Sequence, residues 1–230
     1  MITAILLAGG KGTRIKSSDI PKQFINVKGH PLAAYPLATF NNHPQINQIV
    51  VVASKDDFPE MQRIIRKYSF KKVKLLVAGG KTRQESAYNA LCALEQNGIK
   101  DDDIVLIHDM ARVLVDKRII TDNIHFAQEH QAAATAVPLK NTIVISKDKV
   151  TIQETTSRED YFEVQTPQSF KFRLIMAAHK KARLEKAEAI TDDSKLVHNI
   201  GTLVYLVEGD YKNFKVTTDE DLDILKSFIK

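Results

Sequence analysis

Short apolar runs rich in β-branched residues alternate along this chain with longer stretches whose apolar positions recur at helical spacing. That alternation predicts βαβ units on a mostly parallel sheet. The runs read as strands are residues 3–7, 48–53, 72–77, 104–107, 132–137 and 203–207. Helical period marks residues 31–41, 58–68, 83–96, 117–129 and 170–186. A last helix opens at Thr218, with Asp219, Glu220 and Asp221 in its first turn, where acids suit the positive end of the helix dipole. The expectation is an α/β, mostly parallel, Rossmann-like sheet with helices on both faces, in one domain spanning residues 1–230.

One section breaks the alternation. In "NTIVISKDKVTIQETTSREDYFE", residues 141–163, two β-prone runs, TIVIS and VTIQE, flank the polar turn Lys147, Asp148, Lys149. This is a hairpin signal, and a polar hairpin inserted in an α/β domain buries little of itself on its own sheet. It is expected to project as an arm at about 140–164 and to pack on a second subunit, since long excursions are uncommon unless used.

Composition narrows the picture only a little. Thirty-three basic residues stand against 28 acidic ones for a net charge of +5, a mild excess that fits an anionic substrate, a nucleic acid or plain solubility. The basic residues are scattered among acids, without the aromatic-interleaved groove of single-strand binders. Cys92 is the single cysteine. It excludes an internal disulfide and, lying among Leu91, Ala93 and Leu94, reads as a small packing residue. Nowhere do 18 apolar residues follow one another, and no basic region with an apolar run opens the chain, so a cytoplasmic, membrane-free protein is expected.

The candidate chemistry begins at "ILLAGGKGTRIKSSDIPKQF", residues 5–24, where three glycines, an arginine and a lysine follow the first strand. The P-loop pattern fails because Gly12 follows Lys11, and the dinucleotide pattern fails because Ile15 holds the place of its third glycine. The underlying physics still applies: backbone without Cβ lets N–H groups approach a phosphate, and fixed cations complete its neutralisation.

Read as a unit, A-G-G-x-G-T-R followed by P-K-Q-F resembles the nucleotidyltransferases that make nucleoside-diphosphate sugars and alcohols. The P-K-Q form is similar to the cytidylyltransferase family that includes the methylerythritol-phosphate and ribitol-phosphate enzymes. Further matches follow in order: "AGGKTRQES" at 78–86, "HDMAR" at 108–112, "QTPQSF" at 165–170, "TDDS" at 191–194 and "NFKVTT" at 213–218. The resemblance implies transfer of CMP from CTP to a small alcohol phosphate.

Such a reaction joins two strongly anionic partners, so catalysis is mostly positioning and electrostatic stabilisation. The resemblance implies that Ala8, Gly9, Gly10, Gly12, Thr13 and Arg14 hold the triphosphate, and that Gly80, Arg83 and Ser86 lie near cytosine and ribose. Lys22 and Lys215 would flank the α-phosphate and, with Arg14, act as the catalytic residues. Asp109, Arg112, Thr142, Arg158, Thr166 and Thr191 are implied on the acceptor side, with Thr142 and Arg158 reaching a partner subunit's site from the arm. A homodimer is therefore expected. Mg²⁺ would be bound mainly through the CTP phosphates, and no protein cluster has metal-ligand spacing. No general base is needed, because the attacking phosphate is already ionised. His108 is read as structural, and the run His179, Lys180, Lys181, Arg183 as a solvated helix face.

Three departures from the family pattern fall on the acceptor side: Met110 and Val113 in "HDMARV", and Asn141 in "KNT". Between acceptors, "AVPLKNT" and "TDDSKLV" look like the methylerythritol enzyme and "GGKGTR" and "QTPQSF" like the ribitol enzyme; the first pair borders the acceptor pocket, so methylerythritol 4-phosphate is expected, with ribitol 5-phosphate or another polyol or glycerol phosphate as the alternative. A reading of another class, a non-catalytic nucleotide or nucleic-acid binder on the same fold, predicts binding without pyrophosphate release.

Overall fold

The computed structural model describes residues 1–9, 15, 20–185 and 192–229. Along them run β1 (Ile2–Leu7), β2 (Asn26–Val27), β3 (His30–Pro31), α1 (Ala34–Asn41), β4 (Gln48–Ala53), α2 (Phe58–Lys67), β5 (Val73–Ala78), α3 (Arg83–Gln96) and β6 (Ile104–Asp109). There follow α4 (Lys117–His130), β7 (Ala132–Pro138), β8 (Val144–Ile145), β9 (Glu154–Thr155), β10 (Phe162–Lys171), α5 (Phe172–Leu184), α6 (Asp193–Asn199), β11 (Tyr205–Glu208) and α7 (Asp219–Phe228).

Seven strands form the main sheet in the order β11-β7-β10-β6-β1-β4-β5. All run parallel except β10, which is antiparallel to both β6 and β7. Period-2 alternation sends successive side chains of each strand to opposite faces. Ala4, Leu6, Ile49, Val51 and Leu106 meet α1, α2 and α4 on one face. Ile5, Leu7, Val50, Val52 and Ile107 meet α3, α5 and α6 on the other. Each large side chain buried in this way contributes about 1.5–3 kcal/mol, which is why the continuous apolar runs of the parallel strands are so legible.

A smaller third cluster joins Val27, Leu32, Val113, Val216, Leu222 and Leu225. It packs α7 against the segments that follow Lys22 and Lys215. The sidedness of Val113 is settled here: it lies in this cluster, 3% exposed, and is absent from the wall of the main cavity.

The observed elements differ from the expected ones most clearly at β10. Residues 170–171 belong to this strand and not to a helix; Phe170 is fully buried and pairs with Val105 and Ala132, and α5 starts only at Phe172. The strand escapes a hydrophobic reading because Gln165, Thr166, Gln168 and Ser169 are polar yet buried. Its ladder to β7 shifts register between Val164 and Gln168, where Pro167 supplies no N–H donor. The expected helix end at Lys186 lies outside the described residues. The hairpin at 141–163 is present as β8 paired with β9, but reduced to two residue pairs.

Candidate active site

The chain leaves β1 toward one edge of the sheet through β4 and β5, then returns over α3 to β6 on the other side of β1. Ligands in open α/β sheets bind beyond the carboxyl ends of strands at such a reversal. Leu7 and Asp109 are register partners at that point. Just above them lies a cavity of about 200 Å³, whose wall includes Ala8, Gly9, Lys22, Gly80, Arg83, Ser86, Asp109 and Lys215. Residues separated by two hundred positions thus meet in one place.

The turn into α3 shapes one wall. Thr82 caps the helix, its hydroxyl accepting from the Glu85 N–H at 3.0 Å, while Glu85 Oε2 accepts from the Lys81 N–H at 2.8 Å. Ser86 Oγ accepts from Gly80 N–H at 3.0 Å and donates to the Thr82 carbonyl at 2.9 Å. A Cβ on Gly80 would stand 2.2 Å from Glu85 Cγ, so only glycine permits this closure. The turn leaves Arg83 as the first residue of α3, beside the cavity.

A cation at a helix N-terminus opposes the dipole. Two carboxylates offset it: Arg83 Nε donates to Asp109 Oδ1 at 3.0 Å and Nη1 to Asp193 Oδ2 at 2.6 Å. Asp109 Oδ2 in turn accepts from Lys215 Nζ at 2.6 Å. Burial alone would push Asp109 up; Arg83 and Lys215 overcome it and hold the carboxyl well below the usual carboxylate range. Burial opposes the charge of Arg83 as well, and Asp193 with Asp109 reverse that and raise it. Lys22 Nζ donates to the carbonyl of Val216 at 2.8 Å, next in sequence to Lys215. The two lysines therefore arrive together from opposite ends of the chain.

Behind this cluster sits a buried polar layer. Thr166 Oγ1 accepts from the Asp109 N–H at 3.0 Å and lies 3.0 Å from His108 Nδ1, while His108 Nε2 donates to the Arg112 carbonyl at 3.1 Å. That pattern assigns the proton to Nε2. Burial pushes His108 down to about 4. Arg112 donates through Nη1 to the Asn213 carbonyl at 2.8 Å and through Nη2 to Val164 at 3.3 Å. Neither Thr166 nor Arg112 is in the cavity wall.

Thr142 and Arg158 stand on the arm, away from the cavity, with Arg158 Nη1 donating to the Lys140 carbonyl at 2.8 Å. Gly10, Gly12, Thr13, Arg14 and Thr191 lie outside the described residues. Reasoning on the sequence overlooked Asp193, although it stands in the quoted "TDDS", and placed His179 on a solvated face. His179 is instead fully buried, with Nε2 donating to Asp193 Oδ1 at 3.2 Å. Cys92 is half-buried, as its apolar neighbours suggested. Among the described residues no group of three or more acids, histidines or cysteines is placed to hold a metal ion. Nor is any of their helices long and apolar enough to cross a membrane.

The family model for IspD, 2-C-methyl-D-erythritol 4-phosphate cytidylyltransferase, matches residues 2–230. A protein of that name from Clostridium novyi (strain NT) is 45% identical over 228 residues, covering 99% of this chain and 96% of its own length. Its counterpart from Clostridium perfringens (strain SM101 / Type A) is 42% identical over 229 residues, covering 100% of this chain and 99% of its own. Among solved structures, the 4-diphosphocytidyl-2C-methyl-D-erythritol synthase of Anaerococcus prevotii DSM 20548 superposes with a TM-score of 0.83 at 29% identity, over 99% of this chain and 95% of that one. With its motifs in order, its sheet reversed at β1 and this end-to-end match, the chain belongs to the IspD family of 2-C-methyl-D-erythritol 4-phosphate cytidylyltransferases.

Proposed function

We propose that this chain transfers CMP from CTP to 2-C-methyl-D-erythritol 4-phosphate, an early step of isoprenoid precursor synthesis, in the cavity between β1 and β6. The observation that carries the reading is the family match over residues 2–230. An oxygen of the acceptor phosphate forms a bond to the α-phosphorus of CTP, the bond from that phosphorus to the bridging β-phosphate oxygen breaks, and pyrophosphate leaves. No proton has to be removed from the attacking phosphate. Barrier lowering falls to fixed cations aimed at the charge that develops on the α-phosphate.

Lys22 and Lys215 supply that charge, and their proximity through Val216 supports the pairing. Arg14 and the backbone of Gly10, Gly12 and Thr13 take the triphosphate in this reading, continuing from Ala8 and Gly9 at the cavity wall. Gly80, Arg83 and Ser86 take cytosine and ribose. In this reading Asp109 orders Lys215 and Arg83 and contacts the acceptor side, with Arg112 and Thr166 behind it; Thr191 is assigned to the same side. Asp109 is also the one carboxylate in the described wall of the cavity. A single, already paired carboxylate suits a hydrated Mg²⁺ bound mainly through the triphosphate, where the ion would neutralise phosphate charge.

The arm completes the reading. Thr142 and Arg158 lie away from their own cavity, and Val144, Ile145, Val150 and Ile152 are exposed on the arm, with Val150 at 86%. These side chains fit a homodimer in which each arm borders the partner's acceptor pocket. A cytoplasmic location belongs to the same reading.

The experiment is pyrophosphate release from CTP and Mg²⁺ with methylerythritol 4-phosphate, ribitol 5-phosphate and glycerol phosphates offered separately. Release with methylerythritol 4-phosphate alone is expected. Release with ribitol 5-phosphate in its place would overturn the acceptor, and CTP binding without release from any of them would overturn the transferase.

A further inference from the structure

Five side chains form an unbroken line from the interior to the cavity: His179, Asp193, Arg83, Asp109 and Lys215. The links are His179 Nε2 to Asp193 Oδ1 at 3.2 Å, Asp193 Oδ2 to Arg83 Nη1 at 2.6 Å, Arg83 Nε to Asp109 Oδ1 at 3.0 Å, and Asp109 Oδ2 to Lys215 Nζ at 2.6 Å. His179 on α5 and Asp193 at the start of α6 are both buried, and neither lines the cavity.

We propose that Asp193, held by His179, is a positioning residue that orients the Arg83 guanidinium for CTP. The inference rests on the CTP-binding role given to Arg83 above. A guanidinium bonded at Nε alone can still tilt about that bond. Bonds at Nε and at Nη1 lie on different edges of the plane, so the two carboxylates together fix both its plane and its rotation. Nη2 makes no hydrogen bond among the described residues, which leaves both of its donors to a ligand at the cavity wall where Arg83 stands. Charge alternation serves the same end. Asp109 alone faces two cations, and Asp193 brings a second negative charge, which matches Arg83 without drawing Asp109 from Lys215.

Docking of α6 does not require this bond. Leu196 and Val197 bury the helix in the core. Asp192 caps it, accepting from Lys195 N–H at 3.1 Å and from Gln168 Nε2 at 2.6 Å, while Gln168 Oε1 accepts from Ser194 N–H at 3.0 Å. Asp193 is therefore available for the cavity side. His179 then holds the carboxylate from behind, with its ring stacked on Tyr88 at 6.1 Å between centroids.

The test is a double-mutant cycle read by steady-state pyrophosphate release with the full chain, Mg²⁺ and saturating methylerythritol 4-phosphate. Asp193→Asn and Arg83→Lys are each expected to raise the KM for CTP about 10-fold with kcat within about threefold, and the double variant to be no more than about twofold worse than either. A purely structural role would make the effects multiply to about 100-fold, or leave KM unmoved while the melting temperature falls; either result overturns the inference. If Arg83→Lys leaves KM unchanged, the CTP role of Arg83 fails and the inference with it; if only Asp193→Asn is silent, the inference fails alone. Should Asp193→Asn not fold, the decision passes to His179. His179→Leu is expected to raise KM about threefold or more, and His179→Gln, which keeps a donor, to stay within about twofold of the parent. Equal KM values for the two would overturn the inference.

Discussion

Asp109 and His108 are neighbours on β6 with opposite electrostatic fates, one held charged and the other held neutral, and both contribute to the acid limb of stability. The Asp109 carboxyl is held below its ordinary value of about 3.9. Its contribution is fully present above that value and is lost as pH falls through the depressed folded one. His108 is a base pushed down from about 6.5 to about 4 by burial, so the unfolded chain takes up its proton first. Stability from this group therefore falls as pH drops from about 6.5 toward 4, by at most on the order of 3 kcal/mol. His43, lowered mainly by burial, acts in the same direction. The urea midpoint is expected to fall between pH 6.5 and 4.5 in equilibrium unfolding, and His108→Asn should make that slope shallower. At the same scale, Lys22→Ala and Lys215→Ala should each lower kcat by about 10²–10³ with the thermal melt retained, as loss of one charge-stabilising donor does. Near-normal kcat in either variant would remove that lysine from the chemistry.

At the scale of elements, helix beginnings carry the site. Gly80→Ala would push a Cβ to within 2.2 Å of Glu85 Cγ and 2.5 Å of its Cβ, a collision with the first atoms of a side chain that cannot swing clear. The start of α3 must shift, and Arg83 with it. A loss of about 1–3 kcal/mol together with a raised KM for CTP is expected from thermal unfolding and kinetics. Thr218 caps α7 in a reciprocal capping box with Asp221, and Leu222 and Leu225 then hold Val216 beside Lys215. Thr218→Ala should cost about 1 kcal/mol in urea titrations, with a smaller effect on kcat than on stability.

The whole molecule is expected to work as a pair. If Arg158 and Thr142 serve the partner's site while Lys22 serves its own, mixing inactive Lys22→Ala subunits with inactive Arg158→Ala subunits recreates one intact site per mixed dimer. Random exchange should then restore about a quarter of parental activity. A mixture that stays inactive after proven subunit exchange would place both residues in one site of one chain. Replacing residues 143–156 by a short turn should leave the sheet folded and shift the protein to monomer in sedimentation, because β8 and β9 make no part of the seven-stranded sheet.

How much of this was legible beforehand depended on the kind of signal. The parallel strands announce themselves, since burial on both faces demands uninterrupted Val, Ile and Leu, as at β4 and β6. The cap of α7 and the hairpin at the arm were legible because both are encoded by residues adjacent in the chain. The motifs assign Lys22 and Lys215 to the α-phosphate, Arg83 to the nucleoside and Asp109 to the acceptor; that all four line one cavity is a finding of the structure. What the sequence could not state were relations between distant polar residues. β10 hides because four of its buried side chains, Gln165, Thr166, Gln168 and Ser169, are polar and find partners such as His108, Asn123 and Asp192 on distant parts of the chain. His179 sits among lysines in the chain and against Asp193 in space. Local periodicity by itself determined the α/β layering, through the free energy of apolar burial, which each element expresses alone. Only the tertiary structure decided which charges pair, because a hydrogen bond or ion pair is a property of two positions that the chain has first to bring together.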